Sequence, residues 1–440
     1  MLNTMLLLLA LAGATPGDTL WRRSFNGAGN REDRPTGLFC DGQGNVIITG
    51  YSYEKGADYN FLTIKYDSLG RKLWQRTYNS PLNSEDRIWA SCLDRAGDIF
   101  VTGGSIANPA SNWDYVTINY RPDGDTAWLR RYDSPFHRED KPAGIAKDDS
   151  GFVHVTGASR SADNSWDYLT IKYSAQGETL WTRRLDGIGH ADDMAAAVAP
   201  DREGGVVVTG KSFNEDRMPD IVTVCYDAEG KLRWQQLYTG TGVGHDLANA
   251  LAIDAQGNTY VAGSVTNQGS SYDYALLKYS PQGSLLWART YDGPGHRVDM
   301  VTGLKLDSRG NAVITGQSMG AGTFSDYATI KYDAAGETLW VRRYNSPYNR
   351  EDRAQALAVD EQDRVFVTGG SVLSGSFESY VTIAYGAGGD TLWTRSYKAR
   401  GNGDSRATQV ALDSEHGLVV SGFAATQASG LDIVTIKYRE

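Results

Sequence analysis

The sequence is poor in the features that mark several large classes of protein. It holds only 3 Cys and 12 Pro in 440 residues, and 53 Asp and Glu outnumber 43 Lys and Arg. Three cysteines cannot build a disulfide framework. A net charge of −10 at pH 7 leaves no basic footprint for nucleic acid. A disulfide-stapled miniprotein is excluded, and we expect no nucleic-acid partner.

Long apolar runs are also lacking, so no segment reaches the roughly 18 apolar residues of a membrane-spanning helix. The apolar run at residues 6–11 is short, and the small residues Ala12, Gly13 and Ala14 follow it. This combination is typical of a secretory signal peptide. We therefore predict a signal peptide at residues 1–14, cleaved near Ala14. The mature chain is then secreted or periplasmic, in the cell envelope, without a membrane span.

Glycine and aromatic residues are abundant: the chain has 50 Gly, 25 Tyr and 11 Trp. This balance, without a collagen-like glycine period, favours many short strands joined by tight turns. It excludes a coiled coil.

A repeat of 53 or 54 residues covers the chain after the predicted signal peptide. It is visible as a tryptophan ladder at Trp21, Trp74, Trp128, Trp181, Trp234, Trp287, Trp340 and Trp393. Glycine and tyrosine ladders with the same period begin at Gly50 and Tyr66. A period of this size indicates a solenoid or a propeller.

Each repeat contains four short strands. Residues 45–52 and 61–66 alternate in polarity and are rich in β-branched and aromatic side chains, and glycine-containing turns separate such segments. Four antiparallel strands per repeat make a propeller blade. We predict an all-β, eight-bladed β-propeller as a single domain, residues 15–440. The N-terminal strand, residues 20–25, completes the eighth blade and closes the ring.

The repeat also resembles a known family. The motifs are Asp-Tyr-Leu-Thr-Ile-Lys-Tyr at 167–173, Gly-Glu-Thr-Leu-Trp-Thr-Arg at 177–183 and Val-Thr-Gly-Ala-Ser at 155–159. They are similar to the bacterial beta-propeller (SBBP) repeat, and the likeness extends over all eight units. The resemblance implies a secreted or envelope propeller and carries no catalytic residues.

Aromatic residues that break the repeat are the first candidate site. In each blade, the loops that lead into the first strand and those between the second and third strands share one face and are the longer ones. Function tends to lie on loops held by a rigid frame. Tyr59, Trp113, Trp166 and Tyr272 end loops between second and third strands, and Trp89 lies in the first strand of blade 2. They predict an aromatic rim that binds a protein or a glycan; local packing under the loops is the alternative.

A carboxylate ladder is the second candidate. Its members precede the first strands: Asp33, Asp86, Asp140, Asp193, Asp246, Asp299 and Asp352. Asn or His stands three residues earlier in most repeats. One interpretation is a ring at the channel mouth that holds a cation such as Ca²⁺. The other is turn scaffolding, in which Asn or His adopts a turn conformation and Asp accepts backbone N–H bonds.

Three functional hypotheses remain open. The first is a secreted, non-catalytic scaffold, expected to be monomeric, that binds a protein or glycan at the cell surface through its long-loop face. The second is a hydrolase or lyase at the channel mouth, with groups such as His137 and Asp140 and a bound calcium. The third is a purely structural spacer. No nucleophile–base motif or phosphate loop is found, so no catalytic residue and no cofactor beyond a possible Ca²⁺ is predicted.

Overall fold

The computed structural model describes residues 15–107, 112–214, 218–400, 403–414, 417–426 and 430–439. The predicted signal peptide, residues 1–14, lies outside the described residues. The described residues form eight four-stranded antiparallel sheets arranged in a ring, with no helix among them. This confirms the predicted all-β, eight-bladed propeller.

The strands succeed one another in chain order, from the channel outward in each blade. The first is β1 (Thr19–Phe25), and blade 1 follows with β2 (Asp33–Cys40), β3 (Val46–Glu54), β4 (Asp58–Tyr66) and β5 (Lys72–Tyr78). Blade 2 has β6 (Asp86–Leu93), β7 (Ile99–Ser105), β8 (Asp114–Tyr120) and β9 (Thr126–Tyr132), and blade 3 has β10 (Asp140–Lys147), β11 (Val153–Arg160), β12 (Trp166–Tyr173) and β13 (Thr179–Leu185). Blade 4 has β14 (Met194–Pro200), β15 (Val206–Phe213), β16 (Pro219–Tyr226) and β17 (Leu232–Tyr238), and blade 5 has β18 (Leu247–Ile253), β19 (Thr259–Thr266), β20 (Tyr272–Tyr279) and β21 (Leu285–Tyr291). Blade 6 has β22 (Asp299–Leu306), β23 (Ala312–Met319), β24 (Ser325–Tyr332) and β25 (Thr338–Tyr344), and blade 7 has β26 (Asp352–Val359), β27 (Val365–Ser371), β28 (Ser379–Tyr385) and β29 (Thr391–Tyr397). Blade 8 joins β30 (Ser405–Leu412), β31 (Leu418–Ala425) and β32 (Leu431–Tyr438) to β1.

The chain closes the ring by pairing its two ends. Strand β1 lies antiparallel to β32, with Arg22 opposite Ile436 and Ser24 opposite Val434. Strand β2 of blade 1 packs against β30 of blade 8. Closure leaves the eighth sheet with its full four strands, so no blade is left incomplete.

Adjacent blades are fastened at their outer edges by a tryptophan and an arginine. The Trp128 indole donates to the Ala175 carbonyl oxygen of the next blade over 3.0 Å, and Arg130 Nε donates to Gly177 O over 2.6 Å. Gly177 has φ +80°, and a Cβ there would lie 2.6 Å from the Trp128 ring. Glycine therefore satisfies both the left-handed turn and the close approach of the indole. The indole bond to the next blade recurs at Trp21, Trp74, Trp181, Trp234, Trp287 and Trp340.

The seam between blades 7 and 8 reproduces this fastening across the two chain ends. Arg395 Nε donates to Gly17 O over 3.0 Å, and its Nη2 donates to Pro16 O over 2.9 Å. Gly17 N donates to Arg439 O over 2.7 Å. Gly17, with φ +83°, thus occupies the place of the turn glycine of the other blades.

A β-bulge interrupts the first strand of every blade. In blade 1 the register shifts between Pro35 and Gly37, and in blade 2 between Ile88 and Ala90. A bulge adds one unpaired residue and re-aims its side chain. The eight bulge residues are Thr36, Trp89, Ala143, Ala196, Asn249, Thr302, Gln355 and Thr408. Because the first strands contact one another around the ring, these residues lie at the central channel.

Two simpler features follow from the fold. Cys40, Cys92 and Cys225 are free thiols. Among the described residues, no helix is long and apolar enough to cross a membrane.

Candidate functional site

The ladder carboxylates are buried where the loops enter the first strands. Asp299, fully buried, accepts Gly293 N over 2.6 Å and Met319 N over 2.9 Å. It therefore ties the loop ahead of its own strand to the neighbouring loop after β23. Asp33, Asp193 and Asp246 do the same with their own loops. This is the arrangement that the turn-scaffold interpretation predicts.

The histidines of the same loops take a turn conformation. His137, His190 and His296 have φ between 46° and 48°, as do asparagines at this position with φ near 50°. His137 Nδ1 lies 2.7 Å from Asp133 Oδ2. Where a blade has Asn in place of Asp, Asn also replaces His, as in the bond from Asn79 to Asn83. Either pair, Asp with His or Asn with Asn, closes the loop by a side-chain hydrogen bond.

His137 and Asp140, the two groups named in the enzyme hypothesis, each have a different hydrogen-bond partner. His137 is exposed and faces Asp133, whereas Asp140 is fully buried and accepts Ser134 N and the Ser159 hydroxyl. Burial raises the pKa of Asp140 to about 6, and the bonds from Ser159 and Ser134 oppose this rise. The raised pKa of Asp140 thus follows from its burial at the base of a loop.

The ladder predicts an unusual pH dependence of stability. Burial also raises the pKa of Asp33 to about 6. A carboxyl with a raised folded-state pKa favours folding fully below its unfolded pKa, near 4, and that contribution is lost as pH rises through about 6. The melting temperature should therefore increase as pH falls from 8 to 5. Asp140→Asn should flatten this dependence, and a melting temperature that falls over the same range would contradict it.

Three ladder carboxylates belong to larger acidic groups. The groups are Asp114, Asp133 and Asp140; Asp167, Asp186 and Asp193; and Asp273, Asp292 and Asp299, each with one ligand atom per residue within 4.8 Å of the others. Oxygen ligands of this kind are what Ca²⁺ takes. The structure therefore shows acidic groups that can hold a metal ion.

The third group lacks the arginine that neutralises the other two. Arg131 Nη1 lies 3.0 Å from Asp114 Oδ2, and Arg184 Nη2 lies 3.1 Å from Asp167 Oδ2. The corresponding residue of β21 is Thr290, opposite Ala275. Asp273 is buried, and its Oδ1 has no hydrogen-bond partner.

The predicted aromatic residues of blades 2 and 3 meet at the channel. The Trp89 and Trp113 rings lie 5.2 Å apart, and Trp89 and Trp166 line one apolar slot of about 220 Å³. Pro142 and Met194 also line the slot. The bulge explains why Trp89, inside a first strand, reaches the same place as Trp113, in a loop, and Trp166, the first residue of β12.

Cations alternate with these rings. The Arg87 guanidinium lies 4.4 Å from the Tyr59 ring centroid and 4.8 Å from that of Tyr51. Arg34 lies 3.9 Å from the Phe423 ring centroid. At the other end, Lys141 and Arg160 lie 5.0 Å and 4.5 Å from Trp166. We call this set the channel-mouth crescent: Phe423, Arg34, Tyr51, Arg87, Tyr59, Trp113, Trp89, Lys141, Trp166 and Arg160.

Glutamates balance the cations of the crescent. Arg34 pairs with Glu32, Arg87 with Glu85, and both Lys141 and Arg160 with Glu139 over 3.3 Å. The crescent is therefore rich in hydrogen-bonding groups while carrying little net charge.

Two predicted aromatic residues have other roles. Trp166 is only 4% exposed, with two cations on its ring, so it forms the wall of the slot rather than an open platform. Tyr272 of blade 5 takes part in none of the ring–ring or cation–ring contacts found among the described residues. The structure brings Tyr59, Trp89, Trp113 and Trp166 together and leaves Tyr272 apart.

Sequence reasoning missed the cations. Three of the four cations of the crescent follow the ladder carboxylates directly: Arg34, Arg87 and Lys141 in blades 1–3. Arg353 holds the same position in blade 7. In blades 4–6 the same position holds Met194, Leu247 and Met300. This change from cations to apolar residues indicates, in the sequence itself, that the channel mouth differs between blades 1–3 and blades 4–6.

Comparison with known proteins identifies neither a family nor a function. No protein-family model matches the chain, and no curated protein matches it. Among solved structures, the WD40 domain of SCAP from fission yeast is 7% identical with a TM-score of 0.48, over 93% of this chain and 96% of that one. A polysaccharide lyase is 10% identical with a TM-score of 0.47, over 80% and 90%. Drosophila Plexin A in complex with Semaphorin 1b is 8% identical with a TM-score of 0.44, over 96% and 88%. These neighbours include an enzyme and non-enzymes, and they leave the function unresolved.

Proposed function

We propose that this protein is a secreted, non-catalytic propeller that binds a glycan at the channel-mouth crescent. The observation that carries the proposal is the Trp89–Trp113 pair beside the apolar slot. Ligand sites combine apolar and aromatic walls with a few well-placed polar groups. The aromatic faces suit the C–H faces of a sugar ring, and the surrounding cations and glutamates suit its hydroxyl groups.

A glycan fits this geometry better than a protein surface does. A slot of about 220 Å³ accepts a single ring-sized group. A stable protein interface commonly buries about 800 Å² on each partner. A chain of linked sugars can place one unit in the slot and extend along the crescent.

The experiment is a glycan screen of residues 15–440, followed by calorimetric titration of the best ligand. The variant Trp89→Ala/Trp113→Ala should bind at least about 30-fold more weakly, because truncating a central aromatic costs about 2 kcal/mol or more. Tyr272→Ala is the matched control, since Tyr272 shares the register of Trp113 outside the crescent. Equal losses in both variants, or none in the double variant, would contradict the placement.

We also propose that the group of Asp273, Asp292 and Asp299 binds Ca²⁺. Two observations on the described residues support this site: Thr290 stands where the other two groups have an arginine, and Asp273 Oδ1 has no hydrogen-bond partner there. Ligand that binds only the folded state raises its stability by mass action.

Millimolar calcium should therefore raise the melting temperature by several degrees relative to EDTA. Asp273→Asn should abolish that rise, while Asp167→Asn, in the group that holds Arg184, should preserve it. Identical melting curves in calcium and EDTA would refute the calcium site.

Secretion remains part of the proposal, supported by the N-terminal pattern. Cleavage at Ala14 would make Thr15 the first residue. Thr15 N already donates to Asp18 Oδ2 over 2.8 Å. The new ammonium would then face this carboxylate beside the closing seam.

A further inference from the structure

A second cavity opens into the channel on the arc of blades 5–8, away from the apolar slot. Its volume is about 590 Å³. Its lining mixes polar side chains with Met300 and Val301, whereas the slot is almost wholly apolar. The side chains that matter here are Asn249, Thr302, Arg353, Gln355, Thr408 and Gln409.

These residues break the repeat. At the bulge position, blades 2–4 have Trp89, Ala143 and Ala196, whereas blades 5–8 have an unbroken run of amides and hydroxyls, and blade 1 has Thr36. One position further on, every other blade has Gly or Ala, and only blade 8 has Gln409. A scaffold role common to all blades does not require these side chains.

Some of these polar groups fasten neighbouring blades and others do not. Asn249 Nδ2 donates to Val301 O over 2.7 Å, and Thr302 Oγ1 donates to Ala354 O over 3.1 Å. Each bond reaches the next blade, and the equivalent bond is not made by Gln355 or Thr408 among the described residues.

The remaining groups have no protein partner. Within the described part of the chain, the side-chain amides of Gln355 and Gln409 make no hydrogen bond. Thr408 Oγ1 and Arg353 Nε are buried atoms without a partner. These side chains line the cavity, and their unused hydrogen-bond donors and acceptors are available to a polar ligand.

The charges of the cavity are already balanced. Arg353 Nη2 donates to Glu351 Oε2 over 2.6 Å. Arg406 donates to both carboxylate oxygens of the buried Glu378, over 2.5 Å and 2.7 Å. Since each guanidinium has its own carboxylate, the cavity offers no surplus charge to an ionic ligand.

Amides and hydroxyls both donate and accept hydrogen bonds, which is the complement of a polyhydroxylated, uncharged molecule. We propose that this cavity is a subsite for a neutral sugar unit. It rests on the proposed function, because that unit would belong to the glycan seated on the channel-mouth crescent. The apolar slot and the polar cavity would then hold two units of one oligosaccharide across the channel mouth.

The test uses residues 15–440 and a panel of neutral hexose oligosaccharides of two to six units, with matching uronic-acid oligosaccharides. Calorimetric titration should show binding of the neutral series. Gln355→Ala/Gln409→Ala should weaken binding of the longer members by about tenfold, because two hydrogen-bonding partners are lost. Gln176→Ala is the control, because Gln176 is exposed in a turn on the opposite face.

Thr408→Val provides a second variant of nearly unchanged shape. It should keep the wild-type melting temperature and weaken the longer oligosaccharides. Binding that is unaffected in all cavity variants but lost in Trp89→Ala/Trp113→Ala would overturn this subsite and leave the crescent intact. Preference for the uronic-acid series, or no binding of any oligosaccharide, would also overturn it, and the latter result would remove the proposed function as well.

Discussion

A chain that starts at residue 27, without β1, is expected to lose the closed propeller and to aggregate. Its eighth blade would expose the edge of β32 along the whole strand, and an open sheet edge is a template for pairing between chains. Trp21, which is 8% exposed and packs with Leu38 and Ile433, would be lost from the core. Arg395 would lose both of its acceptors at residues 16 and 17.

Size-exclusion chromatography and thermal melting provide the measurement. The control is the chain that starts at Thr15, which keeps every closing contact. Adding a synthetic peptide of residues 15–26 to the truncated chain should restore the elution volume of the control chain, because the peptide supplies β1. A truncated chain that stays monomeric with an unchanged melting temperature would show that β1 does not close the ring.

Trp128→Ala should lower the free energy of unfolding by about 3–5 kcal/mol, the usual cost of removing a buried large aromatic side chain. The indole is 6% exposed, contacts Phe100 and Tyr173 at centroid distances of 6.1 Å and 5.9 Å, and covers Gly177. Its loss leaves a cavity between two blades and frees Arg130 from the ring.

The free energy of unfolding of each variant can be measured by urea unfolding, followed by circular dichroism. Leu129→Ala, the next residue on β9, is the matched control because Leu129 is 37% exposed and should cost less than about 1 kcal/mol. Equal effects of the two substitutions would mean that the tryptophan ladder does not fasten the blades.

Much of the fold could be predicted because the residues that each blade needs recur in eight repeats. The spacing of Trp74 and Trp128 gives the blade length, and the lone strand before Asp33 indicates closure. The turn role of the ladder Asp was also foreseeable, because a residue needed in nearly every blade points to the scaffold.

The site was less predictable for two physical reasons. First, the bulge in each inner strand shifts one residue out of the alternating pattern, so the alternation in the sequence does not show that Gln355 lies at the channel. Second, Trp113, Trp166 and Tyr272 share one register, and only packing distinguishes them. Lys141 and Arg160 cover the ring of Trp166, whereas the ring of Trp113 packs against that of Trp89.

The channel mouth on blades 1–3 is the ligand site that we propose. The most direct measurement is a crystal structure of residues 15–440 with the tightest-binding neutral oligosaccharide. We predict a sugar ring in the slot between Trp89 and Trp166, with the chain continuing toward Gln355. A ligand on the opposite face, or on the outer edge of the blades with the slot empty, would contradict the account.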